Sequence, residues 1–218
     1  MQSYFWDRTL AAILVGMTPM LHTTAEAHTA HYLERVKSFE MDKGIYDVAM
    51  VGDSLTEGGK WALLFPRVTI ANRGISGDTI DGVLHRTETI RSTGAKQIFL
   101  MIGVNDVLSG GLSAADIIPS YELMIDSLRA TGAQVFVEST LYTDYAGRER
   151  VNAQIAVLNH VLADFCRARN VVFIDVNSVL SVGERLREDV TVDHLHLNAL
   201  GYSLWAAKIR PLLATTDP

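Results

Sequence analysis

From residue 46 onward, short apolar runs alternate with longer amphipathic stretches. Residues 46–51 read YDVAMV before Gly52, Asp53 and Ser54 break the run. Residues 68–71 (VTIA) stop at Asn72, Arg73 and Gly74. Residues 97–102 (QIFLMI) stop at Gly103, Val104, Asn105 and Asp106. Residues 134–137 (QVFV) and 171–176 (VVFIDV) complete the set. Continuous apolar runs this short, bounded by turn residues, predict strands buried on both faces.

The intervening stretches carry helical spacing. Ile80, Val83, Leu84, Thr87 and Ile90 fall on one stripe. Ile117, Tyr121, Met124 and Leu128 form a second, and Val151, Ile155, Leu158, Leu162 and Phe165 a third. Each predicts an amphipathic helix with one face inward. Pro119 predicts a break near the start of the second, because proline removes a backbone donor. Asn198 is a good N-cap for a last helix that runs until Pro211. Strands alternating with helices predict a parallel sheet covered on both sides. No internal repeat, low-complexity tract or interdomain linker interrupts it.

Composition narrows the picture. Of 218 residues, 48% are hydrophobic and 20% charged, which fits one globular domain. The net charge of −6, with no Lys/Arg block, argues against nucleic acid as a partner. The single cysteine, Cys166, excludes an internal disulfide and a cysteine zinc cluster; it reads as a small buried core residue. The N-terminus differs from the rest. Residues 9–21 are an uncharged apolar run, with Arg8 before it and Ala25-Glu26-Ala27 after it. This predicts a secretory signal over residues 1–27, followed by one domain over residues 28–218 and a periplasmic or secreted location. Asp7 and Pro19 fit that pattern poorly. The alternative is a buried or amphipathic N-terminal helix in a cytoplasmic protein. The run is too short for a stable membrane span, which needs ~20 apolar residues.

The candidate chemistry lies at the polar breaks. In a doubly wound sheet, ligands bind beyond the carboxyl ends of the strands. Ser54, Gly74 and Asn105 each follow one of the first three runs, so one sheet edge gathers them. Ser54 at a strand-to-helix turn is a candidate nucleophile, with helix N–H groups nearby for developing negative charge. Ser54-Leu55-Thr56-Glu57 equally fits an S-x-x-E capping box with Ser54 as the cap. His196 is the candidate base and Asp193, three residues earlier, its carboxylate. Asp175, at a strand end, is the alternative acid. Asp193, His194 and His196 together also read as possible metal ligands, a weak pattern without further His or Cys. The N–H groups of Ser54 and Gly74 and the Asn105 amide are candidate oxyanion donors, although a turn glycine and an Asx turn are the plainer readings of Gly74 and Asn105. Gly58-Gly59-Lys60-Trp61 lacks the spacing and the Ser/Thr of a phosphate loop. No serine lies in a G-x-S-x-G elbow, which argues against a standard α/β-hydrolase.

Four blocks in order carry a resemblance. Val51-Gly52-Asp53-Ser54-Leu55-Thr56, Asn72-Arg73-Gly74-Ile75-Ser76-Gly77-Asp78, Gly103-Val104-Asn105-Asp106 and Asp193-His194-Leu195-His196 resemble the blocks of SGNH (GDSL-type) hydrolases. The second block looks most like the branch of platelet-activating-factor acetylhydrolase-like and bacterial carbohydrate-esterase-like members. Residues 31–40 loosely resemble a helix that precedes the first strand in secreted bacterial relatives. The resemblance implies a flavodoxin-like three-layer α/β/α sandwich around a five-stranded parallel sheet, with no metal and no cofactor. It implies Ser54 as nucleophile, His196 and Asp193 as base and acid, and Ser54, Gly74 and Asn105 as the oxyanion hole. The expected activity is metal-free hydrolysis of short acyl esters, with O-acetyl groups on carbohydrate first. Longer acyl chains, as in lysophospholipids or thioesters, are the alternative. A non-catalytic glycan-binding module on the same fold is a further one.

Overall fold

The computed structural model describes residues 29–109 and 111–213; the expected signal segment lies outside them. In chain order the elements are α1 (Ala30–Met41), β1 (Val48–Gly52), α2 (Ser54–Glu57), α3 (Trp61–Leu64), β2 (Ile70–Gly74), α4 (Ile80–His85), α5 (Thr87–Arg91), β3 (Gln97–Met101), α6 (Val104–Leu108), α7 (Ala114–Arg129), β4 (Gln134–Glu138), α8 (Glu149–Ala168), β5 (Val172–Ile174), α9 (Asn177–Leu180) and α10 (Ala199–Ile209).

The five strands pair in parallel in the order β2-β1-β3-β4-β5. The chain moves one way from β1 to β2 and the other way from β2 through β3, β4 and β5. Because parallel crossovers are right-handed, this reversal sends α3 to one face and α4, α5, α7 and α8 to the other. The packing agrees: α7 touches α4, α5 and α8, while Trp61 of α3 meets Trp205 of α10 edge-to-face at 4.9 Å. The expected three-layer flavodoxin-like architecture is the one observed. Strands β1 and β3 are buried along their whole length, as apolar runs covered on both faces require. The switch point lies between them, so the residues following β1 and β3 share one crevice.

Three local expectations are corrected. Strand β2 continues through Asn72-Arg73-Gly74 instead of stopping there, because its polar side chains find partners. Asn72 Nδ2 donates to the carbonyls of Thr56, Glu57 and Gly59, and Arg73 pairs with Asp42 at 2.8 Å. Helix α7 is not broken by Pro119. Its first turn is fixed by a capping box between Ser113 and Asp116. The carbonyl that loses its donor, on Ala115, lies on the exposed side where water can reach it. The stripe at residues 80–90 is two helices, not one, parted at Arg86. The Arg86 side chain is buried, held by Asp78 and by the Gly52 carbonyl. Asn198 caps the last helix as expected, accepting from Gly201 N–H at 3.1 Å, and Cys166 is buried.

Candidate active site

The turn after β1 presents Ser54. A Cβ on Gly52 would lie 2.1 Å from Met101 O and 2.3 Å from Thr56 Oγ1, so only glycine lets the strand pass this close to β3 and α2. Asp53, not Ser54, caps α2: its Oδ1 accepts from Leu55 N–H at 3.0 Å. Ser54 is thereby the first residue inside the helix, and its own N–H has no intrahelical acceptor. The capping-box reading is corrected on both residues. The Glu57 side chain points to Ser76 and α1, and the Ser54 hydroxyl is bonded elsewhere.

That partner is His196. Ser54 Oγ lies 2.9 Å from His196 Nε2, and His196 Nδ1 lies 2.7 Å from Asp193 Oδ2. With a carboxylate facing Nδ1, the proton resides on Nδ1 and Nε2 is left to accept from the serine. The turn carrying this pair is built locally. Asp193 Oδ1 accepts from Leu195 N–H at 3.1 Å and His196 N–H at 2.7 Å, and Thr191 Oγ1 donates to the His196 carbonyl. Partial burial pushes the Asp193 carboxyl up, but these hydrogen bonds, that from His196 foremost, bring it below the usual carboxylate range. His194 takes the left-handed conformation, φ 70°, that the turn demands. Its carbonyl accepts from Asp144 N–H at 2.8 Å, and its ring faces the Asp144 carboxylate at 3.4 Å. Arg185 and Arg148 also pair with Asp144. His194 is therefore committed away from His196, and among the described residues no group of three or more His, Cys, Asp or Glu is arranged to hold a metal. Asp175, the alternative acid, is bonded by Ser139 Oγ and Ser178 N–H and is not the partner of His196.

The expected oxyanion donors divide. Gly74 N–H is already committed to Asn72 Oδ1 at 2.9 Å, and a Cβ on Gly74 would lie 2.2 Å from Glu57 N. Gly74 serves close packing of β2 against α2. Three residues on, Ile75–Asp78 forms a turn closed by Asp78 N–H to Ile75 O at 3.0 Å, with exposed Gly77 at φ +78°. That is the third position of a turn needing positive φ. Asn105 Nδ2 donates to the Asp78 carbonyl at 2.9 Å, which brings the Asn105 amide beside the Gly77–Asp78 segment. Gly77 is thus the candidate glycine of this loop in place of Gly74. The I-S-G-D sequence, a glycine at a type II turn position, was the available signal.

Buried charge holds this loop from beneath. Arg86 pairs with Asp78 at 2.8 Å with both side chains essentially inaccessible. Losing one partner of such a pair typically costs 3–5 kcal/mol, since a charge is left buried alone. Asp106 accepts from Ile80 N–H. Burial, reinforced by Asp78 and Asp106, pushes the Asp53 carboxyl up to about 7.

The chain belongs to the GDSL-like lipase/acylhydrolase family, whose model matches residues 50–204. The fold is shared with solved structures. A GDSL-like lipase from Bacteroides thetaiotaomicron superposes with a TM-score of 0.73 at 22% identity, covering 84% of this chain and 96% of that one. A structure described as a platelet activating factor from Streptococcus pneumoniae gives 0.73 at 23% identity, covering 84% and 91%. An acetyl-xylooligosaccharide esterase from Geobacillus gives 0.64 at 16% identity, covering 82% and 99%. Among curated proteins, N-acylneuraminate cytidylyltransferase of Streptococcus agalactiae is 28% identical over 126 residues, which are 57% of this chain and 30% of that protein's length.

Proposed function

We propose that the protein is a metal-free serine esterase acting on short acyl esters, first on O-acetyl groups of carbohydrates. The observation that carries the mechanism is the continuous chain from Ser54 Oγ through His196 to Asp193, at 2.9 and 2.7 Å. Ser54 Oγ attacks the ester carbonyl as its proton passes to His196 Nε2. The resulting oxyanion is met by Ser54 N–H, Gly77 N–H and the second N–H of the Asn105 amide. His196 returns the proton to the departing alkoxide as the C–O bond breaks, leaving an acyl-Ser54. Water then gives a proton to His196, attacks the acyl carbon and releases the acid, and Ser54 Oγ recovers its proton. The acetyl preference draws support from fold relatives described as acetyl xylan and acetyl-xylooligosaccharide esterases.

Hydrolysis of p-nitrophenyl acetate, butyrate and octanoate by wild type and Ser54→Ala tests this. The expected result is highest activity on acetate, falling by several orders of magnitude in the variant. An octanoate preference would overturn the short-chain assignment. Undiminished activity in Ser54→Ala would overturn the mechanism, and no hydrolysis by wild type would favour a binding module.

A further inference from the structure

Glu57 lies one helical turn after Ser54, at a point where three segments meet. Its Oε2 accepts from both the N–H and the hydroxyl of Ser76 at 2.6 Å. His31 Nε2 of α1 stands 3.1 Å from each Glu57 oxygen, and Arg35 Nε stands 3.2 Å from Oε1. Arg35 Nη2 reaches past Glu57 and donates to the Gly74 carbonyl at 3.0 Å. Helix α1 thus grips both the nucleophile helix and the loop at residues 74–78.

Gly77 has no means of fixing itself. Its φ is +78°, and apart from its chain neighbours no heavy atom lies within 4 Å of the place a Cβ would occupy. Its flanks must hold it. On one side Asp78 is anchored by Arg86 and by Asn105. On the other side stands Ser76, exposed and tied down by the two short bonds to Glu57. Bonds to a carboxylate are charge-assisted and are the stronger kind. The Glu57 carboxylate therefore joins the helix that begins at the nucleophile to the peptide next to Gly77. Stability of α2 itself does not call for it, since Asp53 supplies the cap.

We propose that Glu57 is a positioning residue that sets the Gly77 N–H relative to Ser54, and that α1, which precedes the family-matched residues 50–204, completes this setting through Arg35 and His31. The proposal rests on the serine-esterase reading. Oxyanion donors act over a narrow range, ~2.7–3.1 Å from the developing charge, and a displacement of about 1 Å can cost about a hundredfold in rate. Glu57 touches neither the ester nor the reacting oxygen in this role, so its loss should appear in kcat and leave ground-state binding alone.

The test measures kcat and KM separately on p-nitrophenyl acetate, with thermal melts, for wild type, Glu57→Ala, Glu57→Gln and Arg35→Ala. In Glu57→Ala, kcat should fall roughly ten- to hundredfold with KM changed by less than about twofold. Glu57→Gln keeps a carbonyl oxygen to accept from Ser76 N–H and should regain most of the loss. Arg35→Ala should show a smaller fall of the same kind. A wild-type kcat in Glu57→Ala, or a loss lying wholly in KM, would overturn the positioning role. So would equal losses in the Ala and Gln variants that merely follow their melting temperatures. If Glu57→Ala does not fold, the Gln and Arg35 variants decide: intact kcat in both overturns the proposal. An inactive wild type would sink the esterase reading itself, whereas an active wild type beside an unimpaired Glu57→Ala would remove only the positioning role.

Discussion

A serine hydroxyl becomes nucleophilic when a base beside it can take its proton, and His196 can do so only with its own proton on Nδ1. Asp193 enforces that tautomer from 2.7 Å while accepting from two backbone N–H groups. An Asp193→Asn change keeps the shape but can place an amide N–H against Nδ1. The proton then moves to Nε2, the nitrogen that must be empty. We expect kcat on p-nitrophenyl acetate to fall by about 10⁴-fold; a fall of less than about tenfold would show that Asp193 does not set the tautomer. The contacts that join Ser54, His196 and Asp193 were legible in the sequence because each residue lies in a short motif whose spacing is its geometry. Gly74 and Glu57 were not read correctly. Which N–H is already spent on Asn72, and which carboxylate has turned to Ser76 in place of capping its own helix, depends on side chains that meet across segments. No spacing rule reports such commitments.

At the scale of elements, the apolar runs locate every strand among the described residues, and the departures come from polar residues with distant partners. Asn72 and Arg73 extend β2 because Thr56, Glu57, Gly59 and Asp42 receive them; Arg86 splits a helix because Asp78 and Gly52 O hold its side chain. The end of β4 carries a similar case. Glu138 is fully buried, its Oε1 accepting from Trp205 Nε1 at 2.6 Å while Oε2 lacks a hydrogen-bond partner. Burial pushes its carboxyl up to about 8, even though the bond from Trp205 opposes this. From the ordinary carboxylate range up to about 8, the folded protein holds a proton that the unfolded chain has lost. Stability from this group is therefore full at acid pH, drains as pH rises through that window and is gone above it. Glu138→Gln imitates the protonated form. Melting temperatures followed from pH 5 to pH 9 should show the variant gaining on wild type as pH rises (both values set by the window above). A constant difference across that range would mean that Glu138 does not change protonation on unfolding.

For the molecule as a whole, the strand order does the gathering. Residues as far apart as Ser54 and His196 meet because β1 and β3 flank the switch point and the chain after β5 returns over the same sheet edge. The alternating texture of the sequence predicts this layering. It could not foretell the buried polar layer beneath the site, where Asp78 pairs with Arg86 and the Asp53 carboxyl is influenced by Asp78 and Asp106. Each of these residues alone reads as an ordinary turn or surface residue. Under the proposed function this arrangement makes Ser54 a nucleophile. Reaction with a fluorophosphonate, followed by intact-mass measurement and peptide mapping, tests it most directly. The expected result is one adduct, on Ser54, that is absent in Ser54→Ala and forms several orders of magnitude more slowly in His196→Ala. An adduct on another residue, or none in a preparation that hydrolyses esters, would contradict it.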